Sequence, residues 1–149
     1  MPRSALLSLH RASAALALLL IAVFWSSTAI AWLLRGTAAT TAVKQGIAYA
    51  LPALVLAMAA AGGSGSRLAG ARRQPAALAR KRWRMPLIAA NGLLVLVPAA
   101  LWLHWRAQQG LFGQPFYLVQ GLELCAGLAN AVLLALNARD GMRLHRGQA

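Results

Sequence analysis

Between Arg11 and Arg35 the chain runs through 12–34 without a single ionisable side chain. Coiled as a helix at ~1.5 Å of rise per residue, that run is longer than the ~30 Å hydrocarbon core of a bilayer. Lipid is the solvent such a segment favours, and in lipid a helix is the form that satisfies every backbone polar group within one segment. The pattern recurs at 45–61, 85–105 and 116–136. The second of these is shorter, contains Pro52, and leads into Gly62, Gly63, Ser64, Gly65 and Ser66, expected as a flexible linker. The fourth is interrupted by Glu123 and a few amides. The expected fold is all-α: a polytopic membrane protein forming one four-transmembrane-helix bundle over 1–149, with a basic loop at 62–84.

Composition supports this against the obvious alternative. Residues of the hydrophobic class make up 60% and charged residues 11%, where a soluble domain carries about a quarter charged. The net charge of +13 would suggest nucleic acid in a soluble protein, but here the basic residues stand at the junctions of apolar runs, so nucleic acid is not an expected partner. They are also unevenly shared. Arg3, Arg11, Arg67, Arg72, Arg73, Arg80, Lys81, Arg82, Arg84, Arg139, Arg143 and Arg146 fall on one side of a four-span topology, against Arg35, Lys44 and Arg106 on the other. Since short loops rich in Lys and Arg stay cytoplasmic, both ends and the central loop are expected there. Trp32, Trp102, Trp105, Phe112, Phe116 and Tyr117 gather at the opposite boundary and Trp83 at the cytoplasmic one, as interfacial aromatics do. The first span also has the layout of a signal peptide, with small residues at Ala29 and Ala31, but its apolar run outlasts the ~7 to 15 residues usual for one.

In lipid, helices associate through small residues and interhelical hydrogen bonds. Gly46, Ala50, Ala53, Ala57 and Ala60 share a face of the second span and are expected to pack on a neighbour. On the fourth span Gln120, Glu123, Gly127, Asn130 and Asn137 occupy roughly a third of the circumference at ~100° per residue. An intramembrane carboxyl is costly and must face other helices or a wet cavity. Equal-depth placement puts Ser26, Ser27 and Thr28 of the first span beside Glu123, with Tyr49 slightly shallower, so a protonated Glu123 is expected to hydrogen-bond in that hydroxyl cluster, with Arg106 and Lys44 as the alternative partners. The same placement pairs Asn130 with Asn91. Interhelical glue and a proton or substrate path are both open for this stripe. Arg72, Arg73, Arg80, Lys81, Arg82 and Arg84 suit topology anchoring and anionic lipid headgroups.

Other patterns are weaker. The single cysteine, Cys125, excludes an intrachain disulfide. His10, His104 and His145 are split between the two membrane sides, so no metal site is expected. Gly62, Gly63, Ser64, Gly65 matches the GxSG around an intramembrane protease serine, yet no histidine stands on a following helix to activate it. Asn137 to Gly141 has the composition of a helix end, with Asp140 beside arginines.

Lys81, Arg82, Trp83, Arg84, Met85, Asn91 and Gly92, with Phe116, Tyr117, Gln120, Glu123 and Asn137 to Gly141, resemble small four-helix bacterial inner-membrane proteins of unassigned function, which implies a bacterial inner membrane and no particular activity. Leu9, His10, Arg11, Ala12 and Ser13 are similar to the LHRxS entry of the first helix in the cytochrome b subunit of succinate dehydrogenase. That similarity implies a quinone near Ser8, His10 and Arg11; the second span carries no histidine for a haem, and no cofactor is expected. Three function classes follow: a noncatalytic accessory or assembly protein that binds a membrane-protein partner, a quinone-associated electron-transfer subunit, and a small proton-coupled transporter using Glu123. The first is the leading expectation.

Overall fold

The computed structural model describes residues 2–34, 36–69 and 76–146, with side chains described over 2–34, 36–68 and 83–140. The helices are α1 (Arg3–Leu33), α2 (Thr37–Ala69), α3 (Ala76–Asn91), α4 (Val97–Gln108) and α5 (Gln114–Arg146), and a π-helical turn over Gly92–Leu96 joins α3 to α4 as one rod. Among the described residues four stretches are long and apolar enough to cross a bilayer: Arg3–Leu33, Thr37–Leu68, Trp83–Gln108 and Gln114–Asp140. The protein is thus an all-α four-helix bundle of membrane-spanning character. Its polarity is inverted relative to a soluble bundle, because Leu19, Leu56, Leu94 and Leu118 face outward while Lys44, Gln120, Glu123 and Asn130 are buried.

Each span packs beside the spans adjacent in sequence, and α5 closes the ring on α1. The order around the ring is α1, α2, the α3–α4 rod, α5, so α2 and α5 lie across a diagonal from each other. At one end of the bundle lie the end of α1, the start of α2 and the turn at 109–113; the other end carries the start of α1 and the end of α5. The second turn is closed by backbone bonds from Leu111 to Arg106 and from Gly110 to Ala107, with Gly110 at φ 68°. This is the left-handed helix cap that glycine adopts without a Cβ clash. Phe112 and Phe116 then stack edge to face beside Leu103 and Ala107, with the exposed Tyr117 ring edge-on to Phe116.

The π-turn has a mechanical role. Pro98 lacks the N–H that would bond Leu94, and the Val97 N–H instead reaches back to Gly92. One extra residue in the turn sets α4 back by about 100° relative to α3. Without it, the buried positions Ile88, Ala99, Ala100, Leu103 and Ala107 and the half-buried Asn91 would spread over about 180° of the rod; with it they fall within about 100°. A single seam therefore faces the bundle along the whole rod.

Two expectations about α2 change. The run Gly62–Ser66 is helical, not a linker, and α2 extends to Ala69. At Gly65 the physical reason is the close approach of α1, since a Cβ there would stand 3.1 Å from His10 Cε1, whereas Gly62 and Gly63 have open space where a Cβ would stand. The small-residue face is divided. Ala57 is buried, Ala50 and Ala60 are half-buried, and Gly46 and Ala53 point outward, with open space where a Gly46 Cβ would stand.

Candidate functional site

The polar stripe of α5 does face inward, with Gln120, Glu123, Asn130 and Asn137 all buried. Each of the two acids of the chain is tied to a cation on another helix. Glu123 Oε2 is paired with Lys44 Nζ of α2, and Asp140 Oδ2 accepts from Arg84 of α3 at 2.8 Å. Because α2 and α5 are diagonal, the Lys44 side chain must cross the bundle axis to reach the carboxylate. On the way its ammonium lies 3.5 Å from Thr28 Oγ1 of α1. Lys44 is 1% exposed, so the pair is a charge-assisted link within the membrane-spanning part.

The expected hydroxyl cluster forms only in part. Thr28 joins the site, whereas Ser26 and Ser27 donate to the carbonyls of Val23 and Phe24 on their own helix, as serines in helices do. Tyr49 faces outward, accepts from Gln45 at 3.2 Å, and lies against the His104 ring. Arg106 sits over the Trp102 ring, 5.3 Å from its centroid, away from Glu123. A flexible lysine stem can reach an axis that the short Ser26 and Ser27 side chains, held by their own backbone, cannot.

About two turns toward the terminal end, the amides meet as their depth implied. Asn91 Nδ2 donates to Asn130 Oδ1 at 2.9 Å and to the Ala126 carbonyl at 2.9 Å, while Asn130 Nδ2 donates to the Ile88 carbonyl at 3.3 Å. The α1–α5 seam is closed by Trp25, whose indole N–H donates to the Leu124 carbonyl at 3.0 Å. Gly127 makes room for that ring, since a Cβ there would touch Trp25 Cδ1 at 3.4 Å. Between these layers lies a cavity of about 60 Å³ bordered by Phe24, Trp25, Thr28, Leu51, Glu123 and Gly127 among others.

At the terminal end, His10 of α1 meets Ser64 of α2, a pairing not anticipated because only helices after the serine were considered. The flanking glycines were the available signal. His10 Nδ1 stands 3.0 Å from the Ala61 carbonyl and 3.2 Å from Ser64 Oγ. A carbonyl only accepts, so that nitrogen carries its proton, and Ser64 directs its own hydroxyl to the carbonyls of Ala60 and Ala61. A base poised to take a serine proton would need the opposite arrangement. His10 and Ser64 form an α1–α2 clamp. Ser8 and Arg11, the other quinone-proximal candidates, are exposed on α1 near it. Of the headgroup candidates, Arg84 is engaged by Asp140. Arg72 and Arg73 lie outside the described residues, as do the side chains of Arg80, Lys81 and Arg82.

Among the described residues no cluster of His, Cys, Asp and Glu is arranged to hold a metal ion. Comparison with family models, with curated proteins and with solved structures finds no match to this chain.

Proposed function

We propose that the chain is a noncatalytic accessory or assembly protein of a bacterial inner membrane, with both ends cytoplasmic, acting by binding another membrane protein. The observation that carries this is that the two carboxylates of α5 and the Asn91–Asn130 clasp join helices to one another. A cavity of about 60 Å³ has room for a few waters and is well below the ~300 Å³ at which small-molecule sites begin. The uneven distribution of Lys and Arg supports the orientation, and the basic run at 67–84 suits anionic headgroups at the cytoplasmic surface.

The test is purification of the tagged chain in gentle detergent, with its deletion as the reciprocal arm. A partner held in fixed stoichiometry, whose abundance falls when this chain is deleted, is the expected result; recovery of the chain alone in every detergent, with no protein lost on deletion, would refute it. Reporter fusions to the two termini check the orientation.

A second reading, a small proton-coupled transporter, is favoured by one feature: the Lys44–Glu123 pair lies on the bundle axis, where a pathway would run. Its test is proton-linked flux in proteoliposomes, abolished by Glu123→Gln with the chain still folded.

A further inference from the structure

The cavity beside the ion pair lies near the middle of all four spans, its walls running from Glu123 to Gly127 on α5 and from Ile47 to Leu54 on α2. Its surface is almost wholly carbon. Thr28 and Glu123 border it, but Lys44, which does not, draws Thr28 Oγ1 and Glu123 Oε2 to itself. A buried water needs about two to four polar partners, and enclosed spaces without them stay dry and take apolar guests instead. At the ~10–15 Å³ that each water-sized group occupies, 60 Å³ admits about four to six such groups. That is too little for a substrate with polar groups of its own and enough for a short piece of hydrocarbon.

The wall is unequal around its circumference. Of the lining residues Trp25 is the most exposed, at 37%, so one ring stands between the cavity and the lipid beside the α1–α5 seam. It is held by the bond from its indole N–H to the Leu124 carbonyl, and it rests on α5 where Gly127 has no side chain. Swinging the ring outward breaks that bond and joins the cavity to the acyl chains. On the opposite side the wall can yield. Pro52 stands between Leu51 and Leu54 and leaves the Ala48 carbonyl without its ladder partner, while Leu96 belongs to the π-turn. Interrupted ladders are where helices bend, and π-turns recur at functional sites.

We propose that this cavity is a binding site for a short stretch of hydrocarbon drawn from the bilayer core through the α1–α5 seam, with Trp25 as its lid. The guest is a small apolar molecule dissolved among the acyl chains or the end of a chain itself, since both present the same surface. It touches carbon from every span, with Ile21, Leu51, Leu96 and Leu124 each on a different one, and supplies contacts that the empty space lacks. The site is independent of the accessory role and of the orientation of the bundle, and goes beyond both by giving the four spans a ligand in common.

Solution NMR of the full chain in lipid nanodiscs tests it, with protonated Ile and Leu methyls in a deuterated background and xenon as the probe. The shifts of Ile21, Ile47 and Leu51, buried around the cavity, should saturate as xenon pressure rises, while those of the lipid-facing Leu19, Leu56 and Leu94 grow in proportion to it. Contacts between the terminal methyls of the lipid chains and Leu51 before xenon is added identify the chain end as the guest; saturation without such contacts identifies a free solute. Ala100→Leu, or Ala100→Val where leucine does not fit, fills the space from the rod and should abolish both signals. Trp25→Phe keeps a ring but loses the bond to Leu124, and exchange of bound xenon should quicken by about threefold to tenfold. Proportional shifts at Ile21, Ile47 and Leu51 with no chain contact overturn the site, as does saturation that persists in both Ala100 variants. An exchange rate unchanged in Trp25→Phe overturns the lid.

Discussion

Removing one member of the Lys44–Glu123 pair is the perturbation with the largest effect on this bundle. The side chains are 1% and 10% exposed, so either partner left alone is a charge held away from water, with Thr28 as the remaining neighbour on the lysine side. Such half-pairs cost about 3–5 kcal/mol, whereas replacing both charges by apolar groups of similar volume is neutral or stabilising. Lys44→Met and Glu123→Leu alone should each lower the midpoint by about 6–20 °C, at ~2–4 °C per kcal/mol for a chain of this size. The double variant should return to the wild-type value or above it. The assay is helical circular dichroism during heating in micelles, with alkylation of the exposed Cys125 as a tertiary control. In the resulting cycle the coupling should reach or exceed ~3 kcal/mol, the upper range for residues in contact. Additive losses within ~0.5 kcal/mol would show that the two charges do not meet across the axis, and the placement of α2 opposite α5 would fall with them.

Three further outcomes follow from named contacts. Asn130→Ala removes the acceptor of Asn91 and the donor to Ile88, and should cost about 1–2 kcal/mol by the same unfolding assay, with Asn91→Ala adding little in its presence. Gly63→Ala, with open space at its Cβ, should stabilise α2 by about 0.5–1 kcal/mol, while Gly65→Ala should gain less than that unless His10→Ala is made with it. Gly110→Ala forces a Cβ onto the left-handed cap and should cost about 1–2 kcal/mol, measurable as a lowered midpoint with α4 and α5 otherwise intact.

The parts of the fold legible in the sequence are those that depend on solvent preference and period. The uncharged runs located the four spans, and the spacing of Gln120, Glu123, Asn130 and Asn137 located the inward face of α5. The Asn91–Asn130 clasp followed from rise per residue alone, because both partners are short and must meet at one depth. Lys44 was harder to place because its length decouples where its charge sits from where its backbone starts, so depth matching favoured Ser26, Ser27 and Tyr49, two of which bond their own helix and one of which faces outward. The Gly62–Ser66 run misled for a related reason. Glycine propensity describes an isolated helix, and here the absent side chain of Gly65 lets α1 and His10 approach.

The diagonal placement of the ion pair bears on why a membrane bundle would carry it. Between helices in lipid, apolar contact does little to choose one rotation or ring order over another, since leucine meets leucine or an acyl chain at similar free energy. Links between polar groups do choose, because each has one partner at one depth. Lys44 to Glu123 fixes α2 opposite α5, Asn91 to Asn130 fixes the α3–α4 rod beside α5, and Trp25 to Leu124 sets α1 on the remaining flank. Three links from three helices converge on α5, so a change in the state of its stripe would be felt by every other span.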